Sequence, residues 1–353
     1  MAQKYVDWPS SSDSEFNDDN SEDLSHSELE VLPNYLVNDP TGWKSIQLSH
    51  NSFVTFPGEL GTFLNLINLD ISNNGLTDIG CEILHLKNLN TFTARNNLLD
   101  ASSLPKDFGL MISLETINFS GNRFTDFPMQ LTELRNLKTL HIGANSLKSI
   151  PSAIKGLSRL EVLYLGGNSL QEVPAELGTL HRLISLVLCD NQLHSLPPTF
   201  SHLRKLRSLS LHNNRLSTLP QEIVALNLKE LSLRNNPLVV RFVQDLSFDP
   251  PSLMELAGRV IKTDRIKYST SDLPSHLVKY LSSAERCVNP KCKGVYFSSK
   301  VENVKFVDFC GKYRLPLLQY LCSPQCSYTS VYSDSETDDE DSASAKMKKV
   351  LLG

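Results

Sequence analysis

The pattern of apolar and polar positions repeats through most of this chain, in steps of 23, 23, 25, 23, 23, 23, 23 and 22 residues. Each unit contains an asparagine with apolar residues eight, five and three positions before it and two positions after it, as in Leu160, Leu163, Leu165, Asn168 and Leu170. Apolar residues two apart share one face of a strand, so each unit predicts a short strand and then a turn. The asparagines are Asn51, Asn74, Asn97, Asn122, Asn145, Asn168, Asn191, Asn214 and Asn236.

A solenoid explains why such a unit must repeat. One coil of this length cannot bury its own leucines, whereas stacked coils bury them against each other. The spacing is that of the leucine-rich repeat. We therefore predict an α/β leucine-rich-repeat solenoid of nine repeats over residues 43–248, a horseshoe with a parallel sheet on its concave face. The asparagine side chains are expected to satisfy buried backbone groups of neighbouring coils, which gives them a structural role.

The outward positions of the predicted sheet change character along the chain. They are small and polar in the early repeats, but the middle and late repeats bring aromatic, aliphatic, thiol and charged residues. Such a mixture is typical of a protein-binding hot spot, although concave positions can also carry bulky residues by chance. No nucleophile motif accompanies them, so we expect no catalysis. The predicted client-binding residues are Tyr164, Val187, Cys189, Asp190, His212 and Arg234.

Residues 249–283 predict a helical segment after the repeats. Pro250 and Pro251 suit a helix start, and the apolar residues that follow fall on one stripe. The spacing from Ser252 resembles the elongin-binding box, whose helix inserts a leucine into elongin C, although alanine replaces the usual cysteine. The alternative is a helix that caps the open end of the solenoid. The predicted elongin contacts are Leu253, Leu256, Ala257 and Ile261.

A second motif follows at the spacing found in a suppressor-of-cytokine-signalling box. It resembles the cullin-contacting box, and its predicted contacts are Leu273, Pro274, Leu277 and Leu281. The cullin-5 type has a second proline where this chain has His276, whereas the looser cullin-2 pattern fits, so the choice of cullin stays open. The plain alternative is a small helix with a proline near its start.

Cysteines frame the last predicted folded segment, a small α+β module over residues 284–330. Two pairs separated by 29 residues could close a tetrahedral zinc site, for which we predict Cys287, Cys292, Cys322 and Cys326 as ligands. Cys310 lies between the pairs, so a different set of four is also open, as is a group of buried thiols. The residue types favour one structural zinc and no open catalytic position.

The two ends of the chain are polar. Residues 1–30 contain nine Asp or Glu and one Lys, and an acidic run follows Ser333, so we predict disordered tails at 1–30 and 331–353. Phosphorylation of the second run is an open possibility. The net charge of −5 gives no reason to expect nucleic acid or membrane as partners. Seven cysteines without disulfide-type caps favour the cytoplasm, with nuclear access left open.

The chain from about residue 45 resembles the leucine-rich-repeat-containing protein 58 family. The segments that carry the resemblance are Asn236–Val243, Lys305–Pro316, Tyr320–Pro324 and Lys349–Gly353. The resemblance implies a substrate receptor of a cullin–RING ubiquitin ligase, in agreement with the two boxes. We thus expect a non-catalytic adaptor that joins a client to elongin B, elongin C and cullin-2 or cullin-5. The rival is a cytosolic scaffold for a phosphatase or small-GTPase complex.

Overall fold

The computed structural model describes residues 20–238, 250–269, 272–309, 313–328 and 349–351. The chain divides into two compact units, Met1–Ser146 and Leu147–Gly353, and each is described by itself. The repeats contribute to both units, whereas the cysteine-rich module lies in the second unit only.

The first unit contains a parallel sheet in which each strand pairs with the next one along the chain. The central residues of neighbouring strands lie opposite each other, as Leu69 and Phe92 do, and both are buried. A short 3₁₀ helix returns the chain along the other side of most coils. The strands are β1 Ser21–Asp23, β2 Ser45–Gln47, β3 Asn68–Asp70, β4 Thr91–Thr93, β5 Thr116–Asn118 and β6 Thr139–His141. The helices are α1 Asn34–Asn38 and the 3₁₀ helices Gly58–Thr62, Cys81–His85, Lys106–Leu110 and Met129–Glu133.

The predicted disordered tail is wrong for its last part, residues 20–30. There β1 pairs in parallel with β2, and Asn51 donates its amide to the carbonyl of Leu24 at 2.8 Å and accepts the N–H of Leu29 at 2.9 Å. These contacts use backbone groups, so an acidic sequence can form them without burying its side chains. The part of the tail before residue 20 lies outside the described residues.

The second unit begins with repeats of the same design. Strands β7, β8, β9 and β11 pair in parallel, with Leu163 opposite Leu186 and Leu186 opposite Leu209. The strands are β7 Val162–Tyr164, β8 Ser185–Val187, β9 Ser208–Ser210, β10 Leu219–Pro220 and β11 Glu230–Ser232. The 3₁₀ helices are Ser152–Gly156, Ala175–Thr179, Pro198–His202 and Gln221–Ala225.

The structural role of the repeat asparagines is confirmed. The amide of Asn191 donates to the carbonyls of Leu165, Leu188 and Cys189 at 3.0, 3.2 and 3.0 Å, and its oxygen accepts the N–H of Leu170 at 3.0 Å. Each asparagine of this kind therefore ties its own turn to the preceding coil, which satisfies buried backbone groups that water cannot reach.

Asp190 was predicted among the outward positions of the sheet, but the position just before each repeat asparagine is the turn itself. Its residue has a left-handed backbone, with φ of 49° at Ala144, 53° at Asp190 and 55° at Asn213. Glycine occupies the same position at Gly121 and Gly167. The turn follows the strand too closely for this side chain to continue the alternation of the sheet.

The rest of the second unit is a small α+β module joined to the last repeats. Strand β10 pairs in parallel with β15, which pairs in antiparallel with β14, while β12 and β13 form a two-stranded ribbon. The predicted helical segment and cysteine-rich module pack together in one body. Their elements are α2 Leu253–Thr263, α3 Ser275–Ser282, β12 Glu285–Arg286, β13 Val295–Tyr296, β14 Val301–Phe309, β15 Tyr313–Leu321 and α4 Gln325–Tyr328.

The last described segment, β16 (Lys349–Leu351), pairs in parallel with β11, so the predicted disorder of residues 331–353 does not extend to these three residues. Backbone pairing at the sheet edge explains this, because an edge strand offers unpaired N–H and C=O groups to any suitable segment. The helix that we considered as a cap of the solenoid is α2, and it instead packs on β13 of the module.

Candidate functional site

A row of side chains crosses the open face of the sheet in the second unit. Strand register places Tyr164 opposite Val187, Val187 opposite Ser210, and Ser210 opposite Ser232. All four are half-buried, and we call them the sheet row. The row passes from aromatic and aliphatic to hydroxyl groups over four neighbouring strands, so one end offers apolar contact area and the other offers hydrogen bonds.

Cys189 was predicted to contact a client, and the structure corrects this. Its side chain is only 5% exposed, because it packs over Gly166 in the preceding coil, where an added Cβ would lie 2.8 Å from the sulfur and 3.4 Å from the Tyr164 ring. Burial, assisted by the Asp190 carboxylate, raises the pKa of Cys189 to about 12. The thiol is therefore protonated at neutral pH and is a packing residue beneath the sheet face.

His212, Asp190 and Arg234 lie at the end of this face. The Nδ1 atom of His212 lies 2.9 Å from Ser210 Oγ and 3.3 Å from Ser232 Oγ, so the ring is held against the sheet row. Its Nε2 atom is 3.8 Å from an Asp190 oxygen. Asp190 and Arg234 are exposed. This corner presents both signs of charge around an oriented imidazole, an arrangement suited to polar contacts with another polypeptide.

Helix α2 buries a charged face against the cysteine-rich module. The Glu255 side chain is 0% exposed and accepts the backbone N–H groups of Phe297 at 3.2 Å and Ser299 at 2.9 Å. Arg259 lies one turn later and donates to Glu255 at 2.6 Å and to the carbonyl of Cys322 at 2.7 Å. Burial raises the pKa of Glu255, but the bonds from Ser299, Arg259 and Phe297 outweigh it and hold the pKa at about 2.

The close approach of α2 depends on Gly258. A Cβ at this position would lie 3.0 Å from the ring of Phe297, so the helix backbone rests almost directly on that ring. The same Cβ would lie 3.4 Å from the ring of Tyr280 in α3, which stacks on Phe297 with centroids 4.4 Å apart and planes 10° apart. Phe297 thus contacts both helices, which keeps α2 and α3 together on the module.

The opposite face of α2 is apolar and exposed. Leu253 is 85% exposed, Leu256 45% and Val260 52%, and Ala257 is exposed between them. We call these four residues the helix stripe. The fourth predicted elongin contact, Ile261, is half-buried at the edge of the stripe. Four apolar residues along one helix face are a docking surface of the kind that fits a groove.

The predicted cullin-contacting residues divide into two groups. Leu273 and Leu277 are half-buried and Pro274 is exposed before α3, so all three can reach a partner. Leu281 is 3% exposed, and its prediction as a cullin contact is corrected, because it lies in the last turn of α3 where the helix packs on the module. In the folded chain Leu281 is a core residue.

The predicted zinc-ligating cysteines come together. The four sulfur atoms of Cys287, Cys292, Cys322 and Cys326, which we call the cysteine cluster, all lie within 4.8 Å of one another, and none of the four is in a disulfide. Cys322 Sγ is 3.5 Å from Cys292 Sγ and 3.6 Å from Cys326 Sγ. Cys310 lies outside the described residues. A second group, Cys189, Asp190 and His212, also places ligand atoms within 4.8 Å, but one of its members is exposed.

The sequence analysis missed Glu255 and Arg259, the residues that attach α2 to the module. A signal for them was present. Ser252 followed by Glu255 is a capping-box pattern, and the Ser252 hydroxyl does accept the Glu255 N–H at 3.2 Å. Glu255 and Arg259 are also one helical turn apart, on the face opposite the apolar stripe. Opposite charges at this spacing indicate that the polar face can form an ion pair.

Stacked coils, an asparagine ladder and an open sheet face define a leucine-rich-repeat protein with a protein-binding role. The profile of the family described as leucine rich repeat matches residues 112–170, 135–193 and 181–238. A leucine-rich-repeat protein of Leptospira interrogans is similar in structure, with a TM-score of 0.52 and 33% identity over 60% of each chain.

Relatives extend the likeness over nearly the whole chain. It is 51% identical over 341 residues to leucine-rich repeat-containing protein 58 of Xenopus tropicalis, which covers 95% of this chain and 97% of that protein. The Homo sapiens protein of that name is 60% identical over 284 residues, 79% of this chain and 76% of its own. The chain therefore belongs to the leucine-rich repeat-containing protein 58 family. Among the residues that the structure describes, no helix is long and apolar enough to cross a membrane.

Proposed function

We propose that this chain is the substrate-recognition subunit of an elongin-containing cullin–RING ubiquitin ligase. The observation that carries the proposal is the orientation of α2. Its charged residue Glu255 is fully buried, while Leu253, the residue at the leucine position of the elongin-box spacing, is 85% exposed. An amphipathic helix normally buries its apolar face, so the reverse arrangement leaves that face for another protein.

The positions along the stripe support elongin C as the occupant. Leu253 and Ala257 stand one turn apart at the positions of leucine and cysteine in the box, and Ile261 follows one turn later. Ala257 is smaller than a cysteine but still apolar. The helix stripe is therefore continuous at this position, with a smaller contact area than a cysteine would provide. Leu253 is the anchor of this interface, because a side chain that is almost fully exposed gains the most from burial.

The second helix supports a cullin as the next partner. Pro274 sets the start of α3, and Leu273, Pro274 and Leu277 remain accessible there. Because Phe297 holds α2 and α3 together, a partner on α2 and a partner on the start of α3 would be neighbours. With Leu281 in the core, the cullin contact is confined to the first turn of α3.

The client would bind at the sheet row and the charged corner of His212, Asp190 and Arg234. The chain needs no catalytic group for this role. Holding the client beside the assembled ligase raises the local concentration of its lysines near the charged conjugating enzyme, and proximity alone accelerates a bimolecular transfer.

The test measures binding of the full chain to the purified elongin B–elongin C complex. Leu253→Ala is expected to weaken binding roughly 10- to 100-fold, the loss of one buried leucine at an interface. The matched control is Ile112→Ala in the repeats, since Ile112 is 73% exposed and its removal should leave binding unchanged. Equal affinities of the wild type and Leu253→Ala would refute the proposal.

A second measurement separates the ligase receptor from the signalling scaffold. Proteins that co-purify with the full chain, with proteasome activity blocked, should include elongins and a cullin, and Leu253→Ala should release them. Tyr164→Ala should release the client and retain the elongins, because the two surfaces use different elements. Recovery of a phosphatase or small GTPase in place of the elongins would favour the scaffold.

A further inference from the structure

We propose that Cys287, Cys292, Cys322 and Cys326 bind one zinc ion, and that this ion forms the centre of the module on which α2 and α3 are mounted. The site is independent of the partners that the two helices take. It concerns how the helix stripe is held in place, which the repeats do not determine.

The sulfur positions fit a single tetrahedral ion. With Zn–S bonds of about 2.3 Å, sulfurs at tetrahedral corners lie about 3.8 Å apart. The measured separations of Cys322 from Cys292 and Cys326 are 3.5 and 3.6 Å, and all pairs lie within 4.8 Å. Four thiolate ligands leave no open position, as in structural zinc sites, and exchange of four thiol protons for one ion completes the binding reaction.

Local backbone geometry supports the site from both pairs. The N–H of Cys292 donates to the Asn289 carbonyl at 2.9 Å, and that of Cys326 donates to the Ser323 carbonyl at 3.1 Å, so a tight turn presents each sulfur. The Gly294 N–H points at Cys292 Sγ at 3.2 Å. Such donors stabilise thiolates around a metal.

Gly294 also permits the two pairs to meet. A Cβ on this residue would lie 2.7 Å from Cys322 Sγ and 3.1 Å from Cys292 Sγ, closer than side-chain atoms approach. Asn289 then ties the pairs together, because its amide donates to the carbonyl of Cys326 at 2.8 Å. Asn289 and Cys326, which are 37 residues apart in sequence, are thus held beside one another next to the cysteine cluster.

The apolar core around the cysteines is small. The buried residues that pack with Cys287 and Cys322 are Tyr296, Val301 and Leu321. Modules of this size usually need a metal or disulfides, and none of these four cysteines forms a disulfide. A zinc ion would replace the missing core at its centre.

The ion would also act on α2 through one contact. Arg259 donates to the carbonyl of Cys322, a residue of the cysteine cluster, at 2.7 Å, and the same guanidinium pairs with Glu255. Loss of zinc would free the Cys322 segment, so Arg259 would lose this carbonyl while Glu255 keeps its bonds to Phe297 and Ser299. The helix stripe would then be held less firmly.

The experiment measures metal content and coordination of the full chain. Inductively coupled plasma mass spectrometry is expected to find one zinc per chain, and X-ray absorption to find four sulfurs at about 2.3 Å. Cys287→Ser and Cys322→Ser should lose the zinc. Cys326→His should keep it, because three thiolates and an imidazole also form a structural zinc site, and it shows that loss in the serine variants is not mere misfolding.

Two further variants test the choice of ligands. Cys189→Ser should keep the zinc, although Cys189 belongs to the second group of potential ligands, and Cys310→Ser should keep it as well. Loss of zinc in either variant, iron in place of zinc, or a folded chain without metal would each overturn the proposal. None of these metal measurements requires elongin. A failure of the zinc proposal can therefore be distinguished from a failure of the proposed ligase function.

A chelator supplies the readout for α2. Removing zinc from the full chain is expected to speed amide hydrogen exchange of Leu253–Thr263 at least tenfold while leaving the strand amides of β3 to β5 unchanged. Unchanged exchange in α2 after complete zinc removal would show that the ion does not support the helix.

Discussion

The repeats and helix α2 bury opposite kinds of side chain. In the repeats, leucines such as Leu163 and Leu165 are 0% exposed and polar residues face outwards. In α2 the apolar Leu253 is 85% exposed, and Glu255, only two residues later, is 0% exposed. The repeats bury their own leucines by stacking. In α2, a partner that buried the exposed apolar side chains would add about 1.5–3 kcal/mol of stabilisation for each large residue. The stacked leucines therefore need no partner, whereas the apolar face of α2 is stabilised by one.

The buried polar groups differ in the same way. The repeats bury neutral asparagine amides, and backbone groups of the adjacent coil form hydrogen bonds with each one. The same set of hydrogen bonds can therefore recur at every turn. The module buries one ion pair, Glu255 with Arg259, that is satisfied by a loop far along the chain. Neutral ladders stabilise wherever they are placed, while a buried charge is stable only when every partner is present.

The largest effect is expected from breaking the asparagine ladder. Asn191→Ala should reduce the free energy of unfolding by about 3–5 kcal/mol, because it leaves the Leu170 N–H buried without its acceptor and removes one of the two amide donors to each of the Leu165 and Leu188 carbonyls. Urea unfolding measures the loss. As a control, Asn88→Ala removes an exposed amide bonded to the Leu64 carbonyl and should cost less than about 1 kcal/mol. Equal losses would mean that the ladder is not what stabilises the coils.

The next effect comes from the buried charge. Glu255→Gln should destabilise the second unit by about 3 kcal/mol, since it removes the partner of Arg259. The partly exposed pair of Lys138 and Glu115, at 2.8 Å with side chains 44% and 35% exposed, provides the control. Glu115→Gln should cost less than about 1 kcal/mol, because solvent screens that pair. Comparable costs at the two sites would contradict the contrast between buried and surface charges.

The pH dependence of stability is a second test of whether the charge of Glu255 stabilises the fold. Its pKa is lowered from 4.5 to about 2, so the unfolded chain binds the proton more tightly and stability falls as pH falls. The contribution is complete above roughly pH 5 and lost by roughly pH 2. The difference in unfolding free energy between wild type and Glu255→Gln should shrink over this range. A difference that is constant with pH would show that the charge is not its source.

A smaller effect tests the corrected assignment of α3. Leu281→Ala should cost about 2–3 kcal/mol because a residue that is 3% exposed leaves a cavity, whereas Leu277→Ala, at a half-buried position, should cost about 1 kcal/mol. Cullin binding by the folded variants should show the reverse order, with Leu277→Ala the weaker binder. If Leu281→Ala cost no more than Leu277→Ala, Leu281 would again be a candidate for the cullin contact.

The sequence predicts the repeats well because everything they need recurs within one period. The inward leucines, the asparagine and the turn all lie within a few residues, and the next coil brings the same set. The same holds for the starts of α2 and α3, which Pro250, Pro251 and Pro274 mark locally. The four cysteines were also found from sequence, because thiol spacing is a local property of each pair.

The failures share a physical cause, which is dependence on distant chain segments. Burial of Glu255 requires the backbone at Phe297 and Ser299, more than 40 residues away. Burial of Cys189 requires that Gly166, one coil earlier, has no side chain. Strand β1 has an acidic composition that favours disorder, yet it is held by backbone pairing with β2, which composition does not reveal. Pairwise contacts of this kind leave no periodic signal.

The smallest effect concerns the left-handed turns that recur in the repeats. Ala144 adopts φ of 49°, where Gly121 and Gly167 stand in neighbouring coils. An L-residue in this conformation costs about 1–2 kcal/mol, and glycine avoids that cost but loses more entropy on folding. Ala144→Gly should therefore raise the free energy of unfolding by about 0.5–1 kcal/mol in urea. Ala153→Gly, inside the 3₁₀ helix Ser152–Gly156, should lower it by a similar amount, because the backbone there already suits alanine. Destabilisation by both changes would mean that side-chain contacts of Ala144, and not its turn, determine the residue at this position.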